Sequence, residues 1–219
     1  MFNAIAPAYE RVNSIASAGL DRRWRRAMVR AAGVRPDDVM LDVACGTGDV
    51  CRAFARSDPA PRRIVGCDFA IEMLRRARPA PGGRVSWCQA DAEALPFRDG
   101  TFTLVTCAFG IRNFGDLDAG LREMHRVLGP GGRAVILEFG MPQVPVVRAL
   151  YGFYFRRILP AAASALSGDR SGAYRYLPRS VVSFHDTAGI ASCLRRSGFA
   201  QVDAFPLTFG VVSVFCAHR

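Results

Sequence analysis

Lysine is absent. All 29 basic residues are arginine, set against 19 acidic ones, for a formal charge of +10 in a chain of 219 residues. Without lysine there is no Gly-Lys-Ser/Thr phosphate loop. The seven cysteines (Cys45, Cys51, Cys67, Cys88, Cys107, Cys193, Cys216) form no CxxC pair, which argues against a metal site or a disulfide framework. Several lie inside apolar runs, where a thiol behaves as a small buried hydrophobe, so a reduced chain with no metal is expected. No apolar run reaches the roughly 20 residues of a membrane span. Nor does Met1 lead into a charged-then-apolar leader with a small-residue cleavage site, and a cytoplasmic location is expected. Repeats, low-complexity tracts and interdomain linkers are also missing. The exclusive use of arginine reads as a coding bias, so part of the positive excess carries no message. The remainder invites nucleic-acid or anionic-membrane partners, or is a dispersed basic face.

Half the residues are hydrophobic, enough for one α/β domain with its own core. The runs 39–44, 63–68, 84–90, 102–109 and 133–139 read as strands of four to eight residues, rich in β-branched and aromatic types. A helix begins after Asp116, a good N-cap, and sets Leu117, Leu121, Met124 and Leu128 on one stripe. "GPGG" (129–132) is expected to stop it and turn the chain into the next strand. Alternating strand and helix imply a parallel, doubly wound sheet. Toward the end, a helix over 187–197 stops at Gly198, and two strands follow too closely to pair in any but antiparallel fashion. The expected fold class is therefore α/β, and the pattern resembles that of a Rossmann-like class I methyltransferase, with a seven-stranded, mostly parallel sheet and an antiparallel C-terminal hairpin. One domain spans 1–219, divided into an N-terminal helical lid (1–30), a cofactor-binding core (31–140), a substrate-side cap (141–186) and the C-terminal helix and hairpin (187–219).

"LDVACGTGD" (41–49) follows a strand and opens a helix, where backbone N–H groups point outward and a chain without side chains can approach a ligand. A dinucleotide fingerprint wants a third glycine where Cys51 stands. S-adenosylmethionine has no phosphate to cradle, and an acid at Asp42 with Gly46 and Gly48 near its methionyl portion makes sense. The next strand ends in Asp68, at the distance of an acid that accepts from a ribose diol. After the third strand, Asp91 can accept from an adenine amino group while Ala92 leaves room for the ring. A lone aspartate at a strand end is more often a helix cap, but three acid-bearing loops in succession on one edge point to adenosine.

Taken with "FNAIAPAYERVN" and "WRR" (2–26), "FGIRNF", "REMHRVLGPGG", "LEFGMP" (137–142) and "YRYLPRSVVSF" (174–184), these motifs make the sequence resemble the ubiquinone/menaquinone C-methyltransferase family nearly end to end. The resemblance implies methyl transfer from S-adenosylmethionine to a ring carbon of a polyprenylated quinol, with demethylmenaquinol preferred over a methoxybenzoquinol. It also implies cofactor contacts at Thr47, Asp68, Asp91, Ala92 and the position before "FGIRN". That position, commonly serine in the family, is Ala108 here, so only its backbone contributes.

Carbon methylation needs the electron-rich quinol, whose lost phenolic proton pushes charge onto the adjacent ring carbon. A guanidinium stays charged, so Arg112 is expected to anchor the developing oxyanion rather than to act as the base, with Asn113 supporting it. The alternative is an ion pair with Asp116 or Glu138 that fixes a loop. Tyr9, Asn113, Tyr154 and Tyr176 are expected on the substrate. His125 reads as structural, His185 as a weak base candidate and His218 as irrelevant. The apolar passage 144–166 is long for a connection and is expected to cap the sheet and receive the prenyl tail, while its arginines contact an anionic membrane from the cytoplasmic side. A homodimer is a further expectation. A dehydrogenase would share Asp68 and the early glycines but lacks a hydride-site pair. A nucleic-acid methyltransferase would carry an Asn/Asp-Pro-Pro-Tyr or nucleophilic-cysteine motif where "FGIRN" stands. A noncatalytic quinone binder is the third alternative.

Overall fold

The computed structural model describes residues 17, 19–142, 144–154, 157 and 184–219. Seven strands, β1 (Val39–Val43), β2 (Arg63–Asp68), β3 (Val85–Gln89), β4 (Phe102–Ala108), β5 (Leu128–Phe139), β6 (Gln201–Leu207) and β7 (Val212–His218), form one sheet in the order β3-β2-β1-β4-β5-β7-β6. The first five pair in parallel, and β7 lies antiparallel between β5 and β6. This is the expected fold. The chain works outward from β1 to β3 and then returns to β4 on the other side of β1. Their carboxyl ends therefore open a crevice, the usual ligand position in such sheets.

Side chains alternate across each strand, and the two faces are covered separately. On one face Met40, Ile64, Leu104 and Val214 meet α1 (Asp21–Ala31) and α2 (Asp49–Ala55) through Trp24, Met28 and Phe54. On the other, Leu41, Val105, Ile136 and Phe215 meet α4 (Leu117–Val127) and α6 (Thr187–Arg196) through Leu121, Met124, Ile190 and Leu194. Two shorter or peripheral helices, α3 (Ile71–Leu74) and α5 (Pro145–Phe153), follow β2 and β5. Aspartates start the two helices of the second face: Asp116 accepts from the Ala119 N–H at 2.9 Å and Asp186 from the Gly189 N–H at 2.8 Å, satisfying donors that a helix N-terminus leaves open.

One expectation needs correction. The glycine run does not separate helix from strand: α4 ends at Val127, and β5 is already paired at Leu128, opposite Phe102. A register shift follows before Leu104 meets Arg133, with Gly131 left-handed at φ 69°. An irregular strand start satisfies the backbone that a free turn would expose. Consequently Leu128 belongs to the sheet, and Val127 takes its place on the buried stripe of α4. Of the expected lid (1–30), residues 21–30 lie within α1, which is part of the core, while residues 1–16 lie outside the described residues. Of the expected cap, the α5 portion is described.

At the amino-terminal edge of the sheet, Arg133 of β5 gathers three segments. It donates to the Ala32 carbonyl at 2.6 Å, the Gly33 carbonyl at 2.9 Å and Asp38 Oδ2 at 2.7 Å. Asp38 is buried, and it also accepts from Thr103 Oγ1 and the Arg35 N–H, both at 2.7 Å. Burial alone would raise the Asp38 pKa, but the hydrogen bonds from Arg133, Arg35 and Thr103 outweigh it, and the carboxyl sits below its ordinary value. Removing one partner of a buried pair strands the other charge, at about 3–5 kcal/mol. Arg133→Met is therefore expected to lower unfolding stability in urea by about that amount at neutral pH. Because the folded pKa is depressed, Asp38 contributes stability above its unfolded value, near pH 4, that is lost as pH falls through the folded one. The variant should lose that acid-side slope.

Candidate active site

The carboxyl ends of β1, β2 and β4 surround a cavity of about 290 Å³. Gly46, Asp68, Asp91, Ala92, Ala108 and Asn113 of the expected site line it. Asp42, Thr47, Gly48, Arg112 and Tyr154 are not among the lining residues, and Tyr9 and Tyr176 lie outside the described residues.

Asp68 ends β2 and binds the glycine turn directly. Its Oδ2 accepts the Gly46 N–H and its Oδ1 the Ala70 N–H, both at 2.8 Å. Burial raises its pKa against the pull of those two N–H groups. Each oxygen retains a lone pair, so the same carboxylate that shapes the turn can still accept from a ligand's hydroxyls. Asp91 folds its own loop, with Oδ1 accepting the Glu93 N–H at 3.0 Å. Ala90 and Ala92 keep that wall shallow, and Phe69, 72% exposed, supplies an apolar plane beside it. Gly48 caps α2 at φ 82°, and a Cβ there would stand 2.3 Å from the Trp87 ring. Gly66 of β2 meets the same indole, at 2.5 Å from an added Cβ.

Opposite this wall, two ordinary residues adopt the left-handed backbone that usually selects glycine. Ala44 (φ 54°) follows β1, Phe109 (φ 57°) follows β4, and both line the cavity. Such strain persists only where surrounding contacts over-determine it, and the contacts are visible. The Phe109 carbonyl accepts from Arg112 Nη1 at 2.6 Å and from Asn113 Nδ2 at 3.3 Å. Arg112 Nη1 also meets Glu138 Oε1 at 2.7 Å, and its guanidinium lies 5.2 Å from the Phe139 ring centre. Glu138 is wholly buried. Of the two readings of Arg112, the ion pair with Glu138 is therefore present, and Asp116 serves as a helix cap instead. Arg112 Nε is buried and meets no hydrogen-bond acceptor among the described residues. The Tyr151 hydroxyl lies buried near the pair. Burial pushes its pKa up, Arg112 pulls it down and Glu138 adds to the rise, so it stays a neutral phenol.

Asp42 points inward. Its Oδ1 accepts from Thr106 Oγ1 at 2.7 Å and its Oδ2 faces Cys51 Sγ at 3.3 Å, tying β1 to β4 beneath the cavity. Burial pushes its pKa up to about 7, against the hydrogen bonds from Thr106 and Cys51. The Thr47 carbonyl accepts from Arg52 Nη1 at 2.7 Å, which fixes the turn from behind. His125 stacks edge-on against Phe199 at 5.1 Å, and burial lowers its pKa, in keeping with a structural residue. His185 and His218 are exposed. Sequence reasoning missed Ala44, Phe109 and Glu93. Nothing in a single sequence marks an alanine or phenylalanine as left-handed, and Glu93 was hidden inside a motif read for Asp91.

The lining's charged side chains are Asp68, Asp91 and Glu93, all acids, in a chain of net charge +10. Such a cavity repels phosphates and suits a ligand offering hydroxyls, an amino group and positive charge. S-adenosylmethionine has all three. The family described as ubiE/COQ5 methyltransferase matches residues 1–219. The ubiquinone/menaquinone biosynthesis C-methyltransferase UbiE of Geobacter sp. (strain M21) is 44% identical over 224 aligned residues, covering 100% of this chain and 94% of that protein. Demethylmenaquinone methyltransferase of Thermus thermophilus is 43% identical and covered fully on both sides. A crystal structure of an S-adenosylmethionine-dependent methyltransferase of Methanococcus maripaludis shares the fold at TM-score 0.71 and 16% identity, over 100% of this chain and 94% of that one.

Between its unfolded value near 4 and its folded value of about 7, Asp42 holds a proton in the folded state that the unfolded chain releases. Stability attributable to it should therefore fall as pH rises across that window, by on the order of 4 kcal/mol. Urea unfolding at a series of pH values checks this: Asp42→Asn should flatten the decline.

Proposed function

The chain belongs to the ubiE/COQ5 methyltransferase family, and on that premise we propose that it converts demethylmenaquinol to menaquinol. The reaction class is S-adenosylmethionine-dependent C-methylation of a quinol ring. The observation that carries the reading is the cavity whose charged side chains are all acids, faced by the "FGIRN" loop.

Asp68 would hold the ribose diol and Asp91 the adenine amino group, with Ala92 leaving room for the ring. Gly46 and the Ala108 backbone would approach the amino-acid portion. When bound, S-adenosylmethionine supplies an electrophilic methyl group on a sulfonium, whose positive charge the acidic lining favours. Only the reduced ring offers a nucleophilic carbon, so the protein's further task is to favour the ionised phenol and hold it in place, a positioning contribution that can reach roughly 7–11 kcal/mol. We assign the oxyanion to Arg112 through Nε, a buried donor that meets no acceptor among the described residues and that adjoins Asn113 of the cavity wall in the chain. One such donor is typically worth about 2.7–4 kcal/mol. Glu138 and the Phe109 carbonyl hold the guanidinium in that orientation. The prenyl tail resides in a bilayer, so contact with a membrane surface belongs to the same proposal. No helix among the described residues is long and apolar enough to cross one.

The purified protein, given S-adenosylmethionine and chemically reduced demethylmenaquinol, should yield the methylated ring by mass spectrometry, in preference to a methoxybenzoquinol. No product from either quinol would sink the proposal. Asp68→Ala should weaken binding of the demethylated cofactor roughly 10- to 100-fold by calorimetry, the worth of a charged hydrogen bond.

Arg112→Met alone strands Glu138 in the core and should destabilise by about 3–5 kcal/mol. The double variant Arg112→Met/Glu138→Gln removes that penalty. Because the pair also shapes the cavity, it is expected to bind the cofactor somewhat more weakly than the parent and, at saturating cofactor, to turn over about 10²–10³-fold more slowly. Undiminished turnover would leave Arg112 a structural role alone.

A further inference from the structure

A groove of about 1030 Å³ lies between α1 and α2, lined by seven arginines and two aspartates. Both aspartates are already committed: Asp21 meets Arg25 at 2.7 Å, and Asp49 meets Arg25 at 3.0 Å as well as Arg52. Arg22, Arg26 and Arg30 recur every fourth residue and form one exposed stripe on α1, facing exposed Arg56 across the groove. Like charges at this spacing weaken a helix, and among the described residues no further carboxylate lines the groove to offset them. That the chain uses no lysine accounts for these residues being arginine, but not for their gathering on one face.

A second, independent feature stands at the start of that stripe. In the β6–β7 hairpin, Thr208 (φ 49°) and Phe209 (φ 57°) both take the left-handed backbone, and Phe209 projects with 74% of its surface exposed. Trp24 Nε1 donates to Thr208 Oγ1 at 2.8 Å, fastening the hairpin to α1. The Trp24 ring also touches Phe109 and Phe139, each at 6.1 Å between centres. The aromatic tip and the upper end of the arginine stripe thus share the edge of the sheet where the cavity opens.

We propose that the α1–α2 groove and the Phe209 tip together form a docking face for an anionic phospholipid bilayer, the arginines meeting lipid phosphates and Phe209 entering the interface. Basic side chains beside an exposed aromatic are the combination that holds a protein in the headgroup layer. The proposal rests on the quinol reading, because a substrate with a bilayer-resident tail requires the cavity mouth to face lipid.

Co-sedimentation of the full chain with vesicles tests it. Binding is expected to phosphatidylglycerol/phosphatidylcholine vesicles and not to phosphatidylcholine alone, and should weaken with salt. Each arginine is worth roughly fivefold at such a surface, so Arg22→Gln/Arg26→Gln/Arg30→Gln should bind on the order of 100-fold more weakly with an unchanged melting temperature. Phe209→Ser should reduce binding further. Methylation of a short-tailed, water-soluble quinol should be unaffected in these variants, while methylation of a long-tailed quinol in vesicles falls. Parent-like vesicle binding by the triple variant would overturn the docking face, as would tighter binding of a mixed-sequence RNA oligomer than of anionic vesicles. Vesicle binding that follows the expected pattern with no quinol methylated would leave the face standing and remove the reading beneath it.

Discussion

A buried ion pair holds the strand end on which the cavity is built. Arg112 joins Glu138 of β5 to the carbonyl of Phe109, just past β4. Neither Phe109 nor Ala44 would keep a left-handed backbone unaided. Gly110 completes the device, since a Cβ there would come within 2.7 Å of Ala44 and 2.6 Å of Cys107. The two strand ends that part at the switch point are thus pressed together again one residue later, closing the cavity floor. A buried pair is poor evidence of net stability, and its use here is to fix a geometry.

Charge is distributed in the opposite sense to the chain's total. The protein is strongly basic, yet the charged residues lining its cavity are all acids, and seven arginines line the groove between α1 and α2. Net charge informs on association with large partners; the ligand meets only the local field. Buried carboxylates reinforce the separation. Asp42 is driven toward its neutral form by burial, whereas Asp38, held by Arg133, has its pKa drawn below the ordinary value. The two differ because Asp42 is the more deeply buried and is bonded only by Thr106 and Cys51, with Arg25 acting on it from a distance, whereas Asp38 is bonded directly by the Arg133 guanidinium.

Much of this was legible in the sequence. Periodicity placed the strands and the antiparallel ending, because burial on both sheet faces leaves its mark on every strand. Gly46, Asp68 and Asp91 could be read because spacing from a strand end fixes where a side chain emerges. Asp42 could not: it sits within β1, and whether a strand residue points to a ligand or a neighbouring strand depends on which strand pairs beside it. The identity of that neighbour, β4 with Thr106, is a matter of topology. For the same reason the sequence offered Arg112 two acids and could not choose. Glu138 became the partner only when β5 was laid beside β4.

Trp87 has a consequence that spacing rules do not record. One indole abuts both Gly48 of the turn and Gly66 of the adjacent strand, so two glycines distant in the chain are moulded by a single ring. Their smallness and its bulk form one steric unit. Trimming the ring would open room at both positions at once, although Gly48 would still be held to glycine by its left-handed backbone, whereas enlarging either glycine first would force the half-buried indole to shift.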